Sequence, residues 1–434
     1  MLVSLTLENW MSFRDPATFS MIADEEESSH NNHVAVATEL SLKILQAAAI
    51  YGGNASGKSN FIKALQFLKQ FTSATLKPEN PIPVRPFLLD QASESKPCQF
   101  EMHYIMNNKL YRYRLTVTRD KVLEETLSTI SRDSDSTLFH RKDDRITYDK
   151  GSMIAESFKS TLPDNHSVLS RFNGTDNEET APFTWLNHGL AIATPTSCGF
   201  TGDEKIIQKV KQTLASMDTG ISDYSITEQE IPEDNLPKEI RPTTNSGNNT
   251  QILPFTISND TTKGHIVFKN RKAYVAISES RHRTQSGEQR RFSMEDESDG
   301  TKRLFDLLPG FVTHSEFEED VHAIHIVDEL DRSLHTHASW QLVEMFLKSC
   351  TPDSRRQLIF TTHDVMLMDP DLLRLDEIWI AERDTSGHSE LIPFTDFQQL
   401  KEEKYSKSWR KLYLQGRIGG IPDITPDNEE TLGE

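Results

Sequence analysis

Residues 52–59 read GGNASGKS, and no other segment restricts the possible folds of this chain so tightly. The run fits G-x-x-x-x-G-K-[ST], with Gly52, Gly57, Lys58 and Ser59 at the fixed places. Glycine lets successive backbone N–H groups curl around a phosphate, and a helix starting directly behind them adds the positive end of its dipole. That arrangement requires a strand before the loop and a helix after it. Both are predicted here. ILQAAAIY, residues 44–51, is a short apolar run suited to a buried strand, and from Lys58 onward Phe61, Leu65 and Leu68 recur at helical spacing. Lys58 would then reach the β- and γ-phosphates and the Ser59 hydroxyl would ligate Mg²⁺, with Gly53, Asn54, Ala55, Ser56 and Asn60 completing the cradle.

Three further pieces supply chemistry that a phosphate loop alone lacks. AIHIVDE, residues 323–329, is an apolar strand ending in two carboxylates, although His325 interrupts it. Asp328 is placed to hold Mg²⁺ through water, and Glu329 beside it to polarise an attacking water. QLIFTTHD, residues 357–364, sets His363 after a second strand, where it can sense a γ-phosphate. ESDGTKRLFDLL, residues 297–308, puts Ser298 and Gly300 just before a helix, so that N–H groups and dipole form an anion site. The plainer role for such a serine is a helix cap. Singly, an acidic pair or one histidine is weak evidence; the set in this order is not.

The rest of the chain is organised around these ends. Residues 1–150 are expected to form an N-terminal lobe with alternating strands at the start and β-hairpins from 100 to 148. Residues 151–255 read as a mixed, largely helical insertion, with an amphipathic helix at 204–217 and an exposed, flexible loop near 232–251 rich in Pro, Asn, Thr and Gly. Residues 256–434 resume with strands, a helix from Thr301, a strand at 321–327, a helix at 339–349, and strands at 357–361 and from Glu377. The fold class is therefore α/β.

Composition limits the remaining classes. The chain has 434 residues and a net charge of −19, which argues against a broad nucleic-acid footprint. Two basic runs, residues 281–291 and 401–411, read as solvated surface, with local nucleic-acid contact as the sharper alternative. The mean hydropathy of −0.55 and the absence of a long apolar run speak against a membrane span. MLVSLTLENW alternates and does not resemble a signal peptide, so a cytoplasmic protein is expected. Cys98, Cys198 and Cys350 fit no metal or redox spacing and read as reduced thiols. His322 and His325 are three apart on a strand and face opposite sides, which disfavours a metal site with His335 and His337. No G-x-S-x-G elbow supports a hydrolase triad.

Taken together, MLVSLTLENWMSF, IYGGNASGKSNFIKAL, ESDGTKRLFDLLP, DELDRSLH, QLIFTTHD and YLQGRIGGIP resemble a bacterial group of AAA/ABC-type ATPases. That group is related to the OLD, RecF and SMC heads and is often found in phage-defence or abortive-infection loci. The resemblance implies an ABC-type head, a phosphate-loop sheet plus an antiparallel β lobe, that closes head to tail around two ATP molecules as a homodimer or higher even-numbered oligomer. Ser298 and Gly300 would touch the γ-phosphate held by Lys58 and Ser59 of a second copy. Glu329 would be the general base, Asp328 and Ser59 would serve Mg²⁺, His363 would contact the γ-phosphate, and residues 331–335 would signal between sites. The signature is Ser-Asp-Gly where Ser-Gly-Gly is commoner, and Gln91 is the candidate for the glutamine between the lobes. OLD-type nucleases append a nuclease domain. The segment after His363 reads as too little for one, so a separate effector protein is expected. A RecF-like DNA-binding ATPase is the alternative; an SMC arm would need heptads that this sequence lacks.

Overall fold

The computed structural model describes residues 1–73, 76–131, 135–148, 162–172, 180–193, 204–232, 251–256, 263–269, 272–316, 324–397, 400 and 409–420. The chain divides into two compact units. One is Met1–Ile192 with Glu318–Leu330 and Phe346–Glu434; the other is Ala193–Phe317 with Asp331–Met345.

The first unit opens with β1 (Leu2–Glu8), β2 (Ala17–Ser20), β3 (Val34–Ala37), β4 (Leu42–Leu45) and β5 (Ala47–Tyr51). Helix α1 (Lys58–Ser73) and the single turn α2 (Gln91–Glu94) follow, then β6 (Cys98–Met106), β7 (Lys109–Val117), β8 (Val122–Ile130), β9 (Ser136–Lys142) and β10 (Arg145–Tyr148). Next come α3 (Ala181–His188) and β11 (Leu190–Ala193). The second unit contributes α4 (Glu204–Ser216), β12 (Ile221–Ile231), β13 (Gln251–Thr256), β14 (Lys263–Lys269), β15 (Lys272–Arg283), β16 (Gln289–Ser293) and α5 (Asp299–Glu316). The chain ends with β17 (Ile324–Val327), α6 (Thr336–Lys348), β18 (Gln357–Thr361), β19 (Ile378–Arg383), β20 (Ser389–Pro393) and α7 (Trp409–Leu414).

Two large sheets and the small β3–β4 pair build the first unit. The six-stranded one runs β11-β17-β18-β5-β19-β20, with β17, β18, β5 and β19 mutually parallel and β20 antiparallel at the edge. All five residues of β5 are buried, as expected of a central parallel strand covered on both faces. The seven-stranded sheet, β10-β9-β8-β7-β6-β1-β2, is antiparallel throughout its described pairings. Helix α1 buries Phe61, Leu65 and Leu68 along one stripe. Phe19 touches both Phe61 and Trp379, with ring centroids 4.9 and 5.0 Å away. Each such buried aromatic contributes roughly 1.5–3 kcal/mol of burial energy.

The run at residues 44–51 proves to be two strands instead of one. Ile44 and Leu45 close β4, which pairs antiparallel with β3, and β5 begins at Ala47. Gln46 makes the break: its side-chain amide donates to Asn32 O at 3.2 Å and Thr351 O at 2.8 Å. Between residues 151 and 255 the described residues carry strands β11, β12 and most of β13 as well as helices α3 and α4. The expected loop near 232–251, the run at 401–408, Cys198, His322 and residues 321 and 323 lie largely or wholly outside the described residues. Cys98 and Cys350 are buried, which pushes both thiols up to about 12 and keeps them protonated.

In the second unit β12, β15, β14 and β13 form an antiparallel sheet with β16 paired to β15. Helices α4 and α5 pack on one another. The rings of Tyr224 on β12 and Phe305 on α5 lie 4.7 Å apart.

Candidate functional site

In an open α/β sheet, ligands bind in the crevice beyond the carboxyl ends of the strands. Here three adjacent strands deliver their chemistry to that edge. The phosphate loop leaves β5, Asp328 and Glu329 leave β17, and Thr361, Thr362 and His363 follow at the end of β18. A cavity of about 530 Å³ opens there, lined by Asn54, Ala55, Ser56, Gly57, Lys58, Ser59, Asn60, Glu329 and His363 among others.

The loop has the shape of a cradle. Gly52 and Gly57 sit at φ +147° and +111°, conformations that favour glycine. A Cβ on Gly52 would lie 2.2 Å from Ala381 O, and one on Gly57 would lie 2.6 Å from Ser389 Oγ. Lys58 is buried, and its Nζ donates to Gly52 O at 2.7 Å and Gly53 O at 2.9 Å. Ser56 Oγ is buried in the cradle without a hydrogen-bond partner among the described residues. A phosphate oxygen would satisfy it. The lining brings Lys58, Arg85 and Arg383 against Glu329, a cationic bias in a chain of net charge −19. The site therefore fits a polyphosphate.

The carboxylates are held with equal care. Ser59 Oγ donates to Asp328 Oδ1 at 3.2 Å, and Thr361 Oγ1 donates to the same oxygen at 2.7 Å. Thr361 Oγ1 also accepts the Glu329 N–H at 2.8 Å. Hydroxyl and carboxylate oxygens this close suit a hard divalent cation that draws its remaining ligands from water and phosphate. Glu329 itself sits at φ +50°, a costly conformation for a non-glycine residue and one that recurs at functional sites. Thr361 escaped the sequence reading, though the TTHD run held it in view.

Several residues that line the cavity, and one that positions them, were also missed. Asn9, at φ +52°, donates from Nδ2 to Ser93 O and Lys96 O at 2.9 Å each and accepts the Phe87 N–H at 3.1 Å. Met11 N donates to Arg85 O at 2.7 Å. These bonds hold the stretch 85–97 so that Arg85, Leu88 and Leu89 face the cavity, with Arg383 and Gly387 from the β19–β20 turn. Gln91, the candidate inter-lobe glutamine, is exposed and does not line it.

Ser298 and Gly300 belong to the second unit. Ser298 Oγ accepts the Thr301 N–H at 3.1 Å, so it does cap α5. The preceding residue, Glu297, is buried and receives both the Ser280 hydroxyl and His282 Nε2, the latter at 2.7 Å. A Cβ on Gly300 would lie 2.7 Å from Ser333 O, so the start of α5 abuts the 331–335 loop directly.

A parallel sheet with phosphate loop, Asp-Glu and His at neighbouring strand ends, accompanied by an antiparallel β lobe, is the ABC-type ATPase head. The chain belongs to the family described as "AAA domain, putative AbiEii toxin, Type IV TA system", which matches residues 47–197 and 203–369. It is thus an AAA-family ATPase chain, of a class that binds nucleotide with Mg²⁺. No curated protein matches it. Among solved structures, the SMC head domain from Thermotoga maritima is similar at 14% identity, covering 90% of this chain and 98% of that chain, with a TM-score of 0.35. So distant a likeness adds no weight, and the strand order carries the fold. Among the described residues no helix is long and apolar enough to cross a membrane.

Proposed function

We propose that the chain is an ATP-hydrolysing switch that closes as a head-to-tail homodimer, or a higher even-numbered oligomer, and controls a separate effector protein. The observation that carries this reading is the convergence of Lys58, Ser59, Asp328, Glu329 and His363 at the ends of three neighbouring parallel strands. Lys58 leaves the loop carbonyls for the β- and γ-phosphates. Ser59 and Asp328 would hold Mg²⁺, which, when bound, draws charge off the phosphate oxygens. Glu329 takes a proton from water as the water oxygen bonds to the γ-phosphorus and the bond to the β–γ bridging oxygen breaks. ADP and phosphate leave, and the proton passes to phosphate.

Ser298 and Gly300 complete the site of a second copy, with the N-terminus of α5 aimed at its γ-phosphate. Residues 331–335, already against Gly300, relay the state of one site to the other. The family's description names a putative toxin of a type IV toxin–antitoxin system; the separate effector is this reading's own proposal. Tagged Glu329→Gln, purified with ATP and Mg²⁺ from its native operon, is expected to bring a second operon-encoded protein with it. Full phage protection by this gene without its neighbours would contradict the separate effector.

A RecF-like DNA-binding ATPase is the second reading. It draws on the β15–β16 pairing, which sets Arg281 opposite Arg291 and His282 opposite Arg290. Two of these arginines already have acidic neighbours, Asp223 at 3.2 Å and Glu279 at 3.8 Å. DNA-stimulated hydrolysis that falls steeply with salt would favour this reading.

A further inference from the structure

Leu88 and Leu89 enter none of the steps above, yet they are 67% and 63% exposed, the most exposed large apolar side chains among the described residues. Both line the cavity of the phosphate loop. One exposed leucine on a surface is ordinary, but two in a row at the mouth of a charged cavity ask for a partner. They are held from both sides along the chain. Phe87 is buried and gives its N–H to Asn9 Oδ1 at 3.1 Å. Asp90 accepts the Ala92 N–H at 3.1 Å and the Ser93 hydroxyl at 2.8 Å, which starts α2. The two leucines are therefore presented to the cavity by fixed neighbours, and little ordering remains for a ligand to impose.

Strand order divides the cavity into two halves around β5. On one side β17 and β18 bring Glu329 and His363; on the other β19 and β20 bring Arg383 and Gly387. Hydrogen bonds extend the second half. Ser389 N on β20 donates to Ser12 O at 2.7 Å, and Met11 N donates to Arg85 O at 2.7 Å. Arg383 Nε donates to Gly387 O at 3.1 Å, so its guanidinium lies along the turn. A Cβ on Gly387 would collide with Leu89 Cδ1 and lie 2.9 Å from Arg383 Nη2. Arg383, Gly387 and Leu89 thus make one contiguous wall. A triphosphate on the loop with its γ end at Glu329 and His363 runs its α end, and whatever is attached there, towards that wall.

We propose that Leu88 and Leu89 form a platform for the base of a purine nucleoside triphosphate, which is read by its flat face and not by its edge. The proposal rests on the reading of the cavity as a nucleotide site. The base is the flat, weakly polar part of an otherwise charged ligand, and it covers apolar area that water now meets. Among the described residues, the Ser12 hydroxyl is the one side-chain oxygen lining this half, and it already accepts from Asn60 Nδ2 at 2.8 Å. Selecting adenine calls for an acceptor to its exocyclic amine, and selecting guanine calls for a carboxylate to its N–H groups. No lining side chain here supplies either. Adenine and guanine therefore bind alike.

The test is the double variant Leu88→Ser with Leu89→Ser, whose sites are exposed enough to leave the fold alone. Calorimetric titration with Mg²⁺ compares ATP, GTP and inorganic tripolyphosphate, which has no base. ATP and GTP are expected to bind the native chain within about tenfold of one another and to weaken about tenfold or more in the variant. Tripolyphosphate should bind both chains equally. Leu88→Met with Leu89→Met keeps the apolar face and should bind ATP as the native chain does, as should Leu414→Ser, an exposed leucine that does not line the cavity. Unchanged ATP affinity in the serine variant, or an equal loss for tripolyphosphate, would overturn the platform. So would loss of ATP-dependent assembly with ATP affinity intact, which would make the leucines a contact between copies. A larger preference for one purine would overturn reading by the face. Lys58→Ala separates the two readings. If it still binds ATP and tripolyphosphate, the nucleotide site itself is misassigned; if it loses both while the serine variant binds ATP normally, only the platform fails.

Discussion

The phosphate loop and the α5 N-terminus, the two stretches proposed to meet phosphate, are held in different ways. Around the loop, restraint comes from the loop itself and the strand ends beside it: two glycines in conformations other residues avoid, Lys58 on two loop carbonyls, and Thr361 joining Asp328 to the Glu329 backbone. At the start of α5, restraint comes from groups on other elements. Glu297 is gripped by Ser280 and His282, and Gly300 rests on the Ser333 carbonyl. A site meant to bind nucleotide in each copy should be preformed. A site meant to engage only when two copies meet can depend on contacts that a partner or effector is able to shift.

That contrast can be broken experimentally. Lys58→Ala should lose ATP affinity by about a hundredfold or more, since it removes the one charge aimed at both phosphates, as titration with a fluorescent ATP analogue would read. Gly300→Ala should leave that affinity alone and cut turnover by about tenfold or more, because its Cβ would press 2.7 Å from Ser333 O. Equal effects of both on binding would erase the distinction. Thr361→Val removes the hydroxyl that serves Asp328 and Glu329 together, so kcat should drop by about tenfold and stability by about 1–3 kcal/mol, read by steady-state kinetics and denaturant melts. Glu297→Ala should lower turnover by about fivefold with ATP affinity intact, and Ser280→Ala with His282→Ala should add nothing to it.

The smallest effect lies away from both sites. Glu125, fully buried on β8, has its carboxyl raised above the ordinary range chiefly by burial, against hydrogen bonds from Ser167, Val168 and Tyr113. The folded chain therefore holds this proton more tightly than the unfolded chain. Its contribution to stability is full below the ordinary carboxylate value near 4.5 and is lost as pH rises through the raised one. Denaturant midpoints followed upward in pH from the ordinary carboxylate value should show this slope in the native chain and not in Glu125→Gln. ATP affinity should not follow it.

The sequence made the contiguous features legible. Strand, glycine loop and helix, the Asp328–Glu329 pair and His363 each depend on neighbours along the chain, and each falls where its spacing places it. What escaped depends on contacts between distant residues. Gln46 ends a strand because its amide finds Asn32 and Thr351. Leu89 and Arg383 line the cavity because Asn9 anchors one loop and a tight turn at Gly387 presents the other. Gln91, attractive by position, is exposed in a one-turn helix. None of these has a local pattern to reveal it.

The central claim is that two copies close around ATP, with the phosphate loop of one facing the α5 N-terminus of the other. It is tested most directly by the native mass of Glu329→Gln with and without ATP and Mg²⁺. The account predicts a monomer without nucleotide, a dimer or a larger even assembly with it, and reversion to monomer when Gly300→Ala is added. An ATP-loaded chain that stays monomeric would contradict it.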